Sequence, residues 1–211
     1  ILEGYDIAKL GFGSPATLHL IAEALKIAFA DRKAVTGDPD FVRAPVDRLI
    51  DKAYAAERRA EIDPHRAKTW GAGVSPVESA NTTHITVADA AGNIVASTQT
   101  INSVFGARII VPGTGMVANN HMHLFDPHPG HAASIAPKKR VTTSMSPVMA
   151  LKGGKPAYAL GLPGGLRIFG SAMQALLNLI DHRMDLQEAV EVPVCATAAT
   201  TASCCPMSRA A

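Results

Sequence analysis

The chain has 211 residues, a formal net charge of +2, 47% hydrophobic residues and 18% charged ones. That length fits one domain with a sizeable core and is short for two. The balanced charge, with no basic run or face, excludes an electrostatically driven nucleic-acid binder, and the apolar content excludes a disordered chain. No apolar stretch reaches the ~18 residues needed to span a bilayer. Aromatics make up only 5%, beside 17 Gly and 14 Pro, so the core must rest on Ala, Val, Ile and Leu between many turns. The three Cys (Cys195, Cys204 and Cys205) crowd into the C-terminal stretch, which is no disulfide framework. Ile1-Leu2-Glu3-Gly4 carries no basic segment leading into an apolar one, so the start of the chain does not reveal a compartment.

Ser14-Pro15 opens the first long helix, with Ser as N-cap and Pro in the first turn. Leu18, Ile21, Ala22, Leu25, Ala28 and Phe29 recur at helical spacing and predict one buried face, before Gly37-Asp38-Pro39-Asp40 breaks the pattern. A second helix is predicted over Val46–Ala60, and residues 67–80 are expected to form an exposed, mobile linker rich in Gly and Ser. At Thr82 the character changes. Thr83–Asp89 is β-branched, Asp89-Ala90-Ala91-Gly92-Asn93 is a turn, and Ile94–Ile101 alternates, so the pair predicts a β-hairpin. Further strands are predicted at Ala107–Val111 and Met116–Ala118, then a long loop over Phe125–Val141. Strands at Ser146–Leu151 and Ala157–Leu162 flank Gly153-Gly154. Pro163-Gly164-Gly165 leads into a helix over Leu166–Ile180, with Ile168, Ala172, Leu176, Leu179 and Ile180 inward. Asp185 and Glu188 form a capping box for a last short helix. From Val194 the composition shifts to Ala, Thr and Cys without a period, and no function is assigned there.

Three stretches could carry chemistry. A Thr at the start of a strand is commonly just a good β-former. Thr82, however, follows a polar linker. If the Asn81–Thr82 bond were cut, the new α-amino group could take the proton of its own hydroxyl and make the alkoxide available near neutral pH. Thr100 and Asn102, on the predicted partner strand, would supply neighbouring donors. Thr142-Thr143-Ser144-Met145-Ser146 is either a self-satisfying turn or a holder for a polar substrate end. Gly164-Gly165 is either a tight strand-to-helix turn or a pair of amides aimed at an oxyanion, where a missing Cβ lets backbone approach substrate. His121, His123, Asp126, His128 and His131 match no standard metal-ligand spacing, and a solvated loop rimming a cleft is the simpler reading.

Taken in order, these stretches resemble the γ-glutamyltranspeptidase family of N-terminal-nucleophile hydrolases, including its cephalosporin-acylase-like members. The resemblance runs over about Gly13–Pro193. It is carried by Ile21-Ala22-Glu23-Ala24, Gly37-Asp38-Pro39-Asp40, Glu78-Ser79 through Thr82-Thr83-His84, Thr100 with Asn102, Asn119-Asn120 with Met122, Lys139-Arg140, Ser144-Met145-Ser146-Pro147 and Pro163-Gly164-Gly165 with Arg167. It implies an α+β fold, part of the αββα four-layer sandwich. It also implies residues 1–81 as the end of the large-subunit region, 82–193 as the start of the small catalytic subunit, and 194–211 as an unassigned tail.

Roles follow from the same resemblance. Thr82 would be the nucleophile, released by cleavage of Asn81–Thr82 through an N→O acyl shift. Thr100 would hydrogen-bond Thr82, and Gly164 and Gly165 would form the oxyanion hole. Asn102, His121, Thr143 and Ser144 would line the acyl pocket. The implied reaction is acyl transfer from a γ-glutamyl or related amide to water or an amine. No metal and no organic cofactor are implied. The implied partners are a small amide or peptide substrate and the remainder of the large subunit, with no nucleic acid and no membrane. Often-exported relatives point to the periplasm or the cell exterior.

Two departures stand out. The family's acid before Phe binds the glutamyl α-ammonium, but Leu124 stands there and His121 replaces a polar amide or acid. A missing charged partner for a buried ammonium costs several kcal/mol, so a glutaryl-type cephalosporin acylase is the alternative to γ-glutamyl transfer. The other departure is extent. Only 81 residues precede Thr82, so the chain is expected to be a fragment, with open strand edges and an inactive state as a further alternative.

Overall fold

The computed structural model describes residues 1–70, 81–198 and 201–205. The expected linker therefore lies mostly outside the described residues. The chain divides into two units: Ile1–Ser75 with Asp126–Thr142 and Met173–Ala211, and Pro76–Phe125 with Thr143–Ala172. The helices are α1 (Ile7–Leu10), α2 (Pro15–Val35), α3 (Val46–Leu49), α4 (Lys52–Ala60), α5 (Arg167–Ile180) and α6 (Leu186–Glu191). The strands are β1 (Thr83–Ala88), β2 (Ile94–Gln99), β3 (Val148–Lys152), β4 (Lys155–Leu160), β5 (Val194–Ala198) and β6 (Thr201–Cys205). They pair as three antiparallel hairpins, β1-β2, β3-β4 and β5-β6.

In the first unit α2 begins as predicted, with Ser14 Oγ accepting from Thr17 N (3.1 Å) and Pro15 in the first turn. Its burial differs from the single inward face expected. Residues 20–27 are all buried while Ala28 is exposed. The reason is packing on two sides. Leu20 and Ile27 join Ile7, Ile62 and Trp70 in one cluster, and Ile21, Ala22 and Leu25 join Cys195 in another. Each fully buried aliphatic side chain contributes roughly 1.5–3 kcal/mol of transfer free energy. Burial all round forces Glu23 and Lys26 inside, and they pair at 2.6 Å. Burial disfavours the charge on Glu23. The Lys26 ammonium, the Trp70 indole N–H (2.7 Å) and the Lys68 amide outweigh that and hold its carboxyl below the usual range. Trp70 is thus core, not linker.

The predicted helix over Val46–Ala60 is two helices. Asp51 accepts from Ala53 N (3.1 Å) and so restarts the chain as the N-cap of α4. Arg58 of α4 then pairs with Asp31 of α2 at 2.9 Å. Asp38, also in this unit, accepts from Arg140 N, Nε and a terminal guanidinium nitrogen (2.6, 3.0 and 2.6 Å). In α5, Ile168, Ala172 and Leu179 are buried as expected, but Ile180 is exposed and Ala175 is buried in its stead. Gln174 imitates a strand partner, its side-chain amide donating to Cys195 O and accepting from Cys195 N, both at 2.7 Å. This anchors β5 in a stretch where the sequence showed no period.

In the second unit the β1-β2 hairpin follows expectation, with Asp89 Oδ1 accepting from Asn93 N (2.8 Å) across the turn. The β3-β4 hairpin turns through Gly153-Gly154, both at positive φ (58° and 77°). The strands predicted at Ala107–Val111 and Met116–Ala118 reduce to one bridge, Ile110 to Val117, because Arg108 takes a positive φ (58°) that interrupts the ladder. β1 and β2 leave Ile85, Val87 and Val95 exposed. No helix among the described residues is long and apolar enough to cross a membrane.

Candidate active site

The register of the first hairpin sets the site. Thr83 pairs with Gln99, so extending the antiparallel ladder by one residue sets Thr82 opposite Thr100. Thr82 is half-buried and Asn81 exposed. Thr100 was expected to bond Thr82. Its single hydroxyl proton goes instead to the carbonyl oxygen of Asn81 (2.9 Å), the acyl side of the bond expected to be cut. The same hydroxyl oxygen accepts from Asn102 N (2.8 Å), which fixes the direction in which its proton points. A donor held on a carbonyl oxygen polarises that carbonyl and stabilises the oxyanion formed when a nucleophile attacks it.

Asn102 is buried and sits at φ 75°, a conformation that Asn tolerates better than most residues. Its side-chain Nδ2 donates to Asn120 Oδ1 (3.0 Å). Asn120 Oδ1 also accepts from Ser103 N (3.0 Å), and its Nδ2 donates to Ser103 Oγ (2.8 Å). A backbone N–H can only donate, so Ser103 fixes the orientation of Asn120, and Asn120 fixes that of Asn102. Asn81, Thr100, Asn102, Ser103 and Asn120 thus form one continuous hydrogen-bonded group.

His84 of β1 lies against the chain leaving β4 of the other hairpin. A Cβ at Gly161 would sit 2.2 Å from its Cε1, so any side chain there would have to displace the ring. His84 itself is steadied by Thr98 Oγ1 (2.8 Å) and Thr86 Oγ1 (2.9 Å). Thr82 precedes His84 by two residues and Gly164 follows Gly161 by three. Gly164 (φ 137°) and Gly165 (φ 61°) both hold positive-φ conformations that favour glycine. Their carbonyls accept from Arg167 N and Ile168 N (3.2 and 3.1 Å), and among the described residues neither glycine's own amide donates to a protein acceptor.

Thr143 is exposed and Ser144 buried, at the entry to β3. Thr143 Oγ1 accepts from Met145 N (3.2 Å), and the Ser144 carbonyl accepts from Ser146 Oγ (3.0 Å). His121 keeps to Asn119, its N and Nδ1 both reaching Asn119 Oδ1 (3.0 and 3.1 Å). Burial, and then the neighbouring charge of His123, push its pKa down. Leu124 is half-buried. Asp126 is taken up by its own loop, accepting from His131 Nδ1 (2.5 Å), His128 N and His128 Nδ1 (both 2.9 Å), which hold its carboxyl well below the usual range. Among the described residues no group of three or more His, Cys, Asp or Glu side chains is arranged to hold a metal ion. A cavity of about 240 Å³ lies in the first unit, lined by Thr17, Leu18, Ile21, Leu177, Val194 and Cys195 among others, and by none of the expected site residues.

Ser103, Asn120 and His123 belong to the hydrogen-bonded group although none was a candidate site residue. Asn120 could be found from the Asn119-Asn120 pair. Nothing local marks Ser103, and His123 stands out only as one of a histidine-rich loop read as solvated, because their role here depends on the positive φ of Asn102.

The sequence profile of the family described as gamma-glutamyltranspeptidase matches residues 1–204. The "Acylase ACY 1 proenzyme" of Pseudomonas sp. (strain SE83) is 69% identical over 193 residues, covering 92% of this chain and 35% of that protein. The "Glutathione hydrolase proenzyme" of Pseudomonas sp. (strain A14) is 41% identical over 206 residues, covering 92% of this chain and 36% of that protein. Among solved structures, cephalosporin acylase from Bacillus halodurans superposes with a TM-score of 0.80 at 30% identity, over 92% of this chain and 36% of its own. The chain spans about a third of the length of the curated relatives it matches. Its fold is α+β, a part of the N-terminal-nucleophile hydrolase architecture of those neighbours. The profile match over nearly the whole chain, with relatives of both the acylase and the glutathione hydrolase kind, establishes that the chain belongs to the gamma-glutamyltranspeptidase family.

Proposed function

We propose that the parent protein is a self-processing amide acyltransferase and hydrolase in which Thr82 is the nucleophile. The single observation that carries this is the Thr100 hydroxyl donating to the carbonyl of Asn81, beside Thr82. In processing, Thr82 Oγ attacks the Asn81 carbonyl carbon, the C–N bond breaks, and the nitrogen leaves as the new α-amine. Water then hydrolyses the ester, separating residues 1–81 from the segment 82–193 and the tail 194–211. In turnover the freed amine takes the hydroxyl proton, Thr82 Oγ attacks the substrate amide, and the amides of Gly164 and Gly165 hold the oxyanion. Asn102, His121, Thr143 and Ser144 line the acyl side. Water or an amine then removes the acyl group, and the remainder of the large subunit completes the site.

The test is Thr82→Ala against Thr82→Ser in the full-length precursor. The Ala variant should give neither cleavage nor turnover, and the Ser variant should keep some of each. Cleavage in Thr82→Ala refutes the nucleophile assignment.

The acyl group has two readings. A γ-glutamyl donor is the family's namesake substrate. A glutaryl-type acyl group, as in a cephalosporin acylase, is favoured by Leu124, which offers no charge to an α-ammonium, and by the acylase relative at 69% identity. We expect glutaryl amides to turn over faster than γ-glutamyl-p-nitroanilide, and Leu124→Asp to raise γ-glutamyl turnover. Robust γ-glutamyl turnover by the unaltered protein would overturn the argument from Leu124.

A further inference from the structure

We infer that His123 is a positioning residue for the acyl-pocket amide of Asn102, and through it for the Thr100 hydroxyl. The inference rests on the assignment of Thr82 and Thr100 above. His123 Nδ1 lies 2.7 Å from the backbone carbonyl oxygen of Asn120 and 3.2 Å from Asn102 Nδ2. A carbonyl oxygen only accepts, and Asn102 Nδ2 is fixed as a donor by the Asn120–Ser103 pair. One ring nitrogen cannot serve both at once. With a proton on Nδ1, the imidazole donates to Asn120 and clamps the segment that carries the Asn120 side chain. With Nδ1 bare, it accepts from Asn102 and draws that amide toward itself.

Either way the ring controls where the Asn102 side chain rests. Asn102 is buried, and its own backbone N–H sets the direction of the Thr100 hydroxyl. The path from His123 therefore reaches the Asn102 side chain by a polar contact, passes through the covalent frame of Asn102 to its backbone N–H, and continues by hydrogen bonds through the Thr100 hydroxyl to the Asn81 carbonyl.

The experiment compares His123→Ala and His123→Asn in the full-length precursor. An Asn side chain can offer an N–H near the place of Nδ1, while Ala offers none. Two rates are read, self-cleavage on a denaturing gel and amide turnover resolved into kcat and KM, with Thr82→Ala as reference. Losing one positioning hydrogen bond is expected to slow self-cleavage roughly fivefold in His123→Ala and to raise KM by a similar factor. His123→Asn should restore most of both, with the melting temperatures of the two variants alike. Two results overturn the proposal: both variants matching the parent, or both failing equally with a common drop in melting temperature. Cleavage in Thr82→Ala instead overturns the reading on which the proposal rests, whatever the His123 variants do.

Discussion

Replacing Thr100 by Val keeps the shape of the side chain and deletes its oxygen. Two bonds go, the donation to the Asn81 carbonyl (2.9 Å) and the acceptance from Asn102 N (2.8 Å). A donor aimed at a developing oxyanion in an enclosed site is worth about 2.7–4 kcal/mol. Thr100 is only half-buried, so water replaces part of that, leaving about 1.5–3 kcal/mol on the barrier to processing. At ~1.4 kcal/mol per factor of ten, self-cleavage should slow by about 10- to 100-fold. The orphaned amide of Asn102 costs a further ~1 kcal/mol or more in stability and loosens the acyl side of the pocket. The assay is a time course of purified precursor on a denaturing gel, with Thr100→Ser as the variant that keeps the hydroxyl. Cleavage of Thr100→Val within twofold of the parent would refute the role assigned to this bond.

Other consequences concern the scaffold. Glu23→Gln leaves the Lys26 ammonium buried without its counter-charge, and should cost about 3 kcal/mol in a denaturant titration; a loss under ~1 kcal/mol would contradict the buried pair. Asp38 is held below its ordinary value of 3.8 by the Arg140 guanidinium and amide, so the native state binds fewer protons than the unfolded one. That stabilisation is complete above pH ~4 and falls away as pH drops through the depressed pKa. Acid titration should show stability declining below pH ~4, and Asp38→Asn should flatten the decline. An unchanged acid limb in the variant would count against the pair.

How much of this was visible in the residues depends on the range of the interactions involved. The start of α2 was legible because Ser14-Pro15 is a local cap signal, and the first hairpin because Asp89 through Asn93 is a local turn between β-branched runs. Burial all round α2 was not, because it depends on Cys195 and Trp70, far away in sequence. The break at Asp51 escaped because a helical period continues across it while the Asp side chain captures Ala53 N. The candidate site divides the same way. Position along a predicted hairpin only suggested Thr82, Thr100 and Asn102, and the Gly164-Gly165 pair read equally as a tight turn; the family resemblance is what gave these residues their expected roles. The partner of Thr100 could not be foreseen, since a strand register states which residues face one another and not which oxygen a hydroxyl chooses. His123 was hidden among exposed histidines until the backbone at Asn102 turned its amide toward it.

The central claim is that Thr82 becomes a chain terminus. Intact-mass measurement of the full-length precursor, incubated after purification and paired with N-terminal sequencing, tests it directly. Two chains, the second beginning with Thr82 and Thr83, are the expected result. A single uncut chain after long incubation, or a second chain beginning at any other residue, would contradict it.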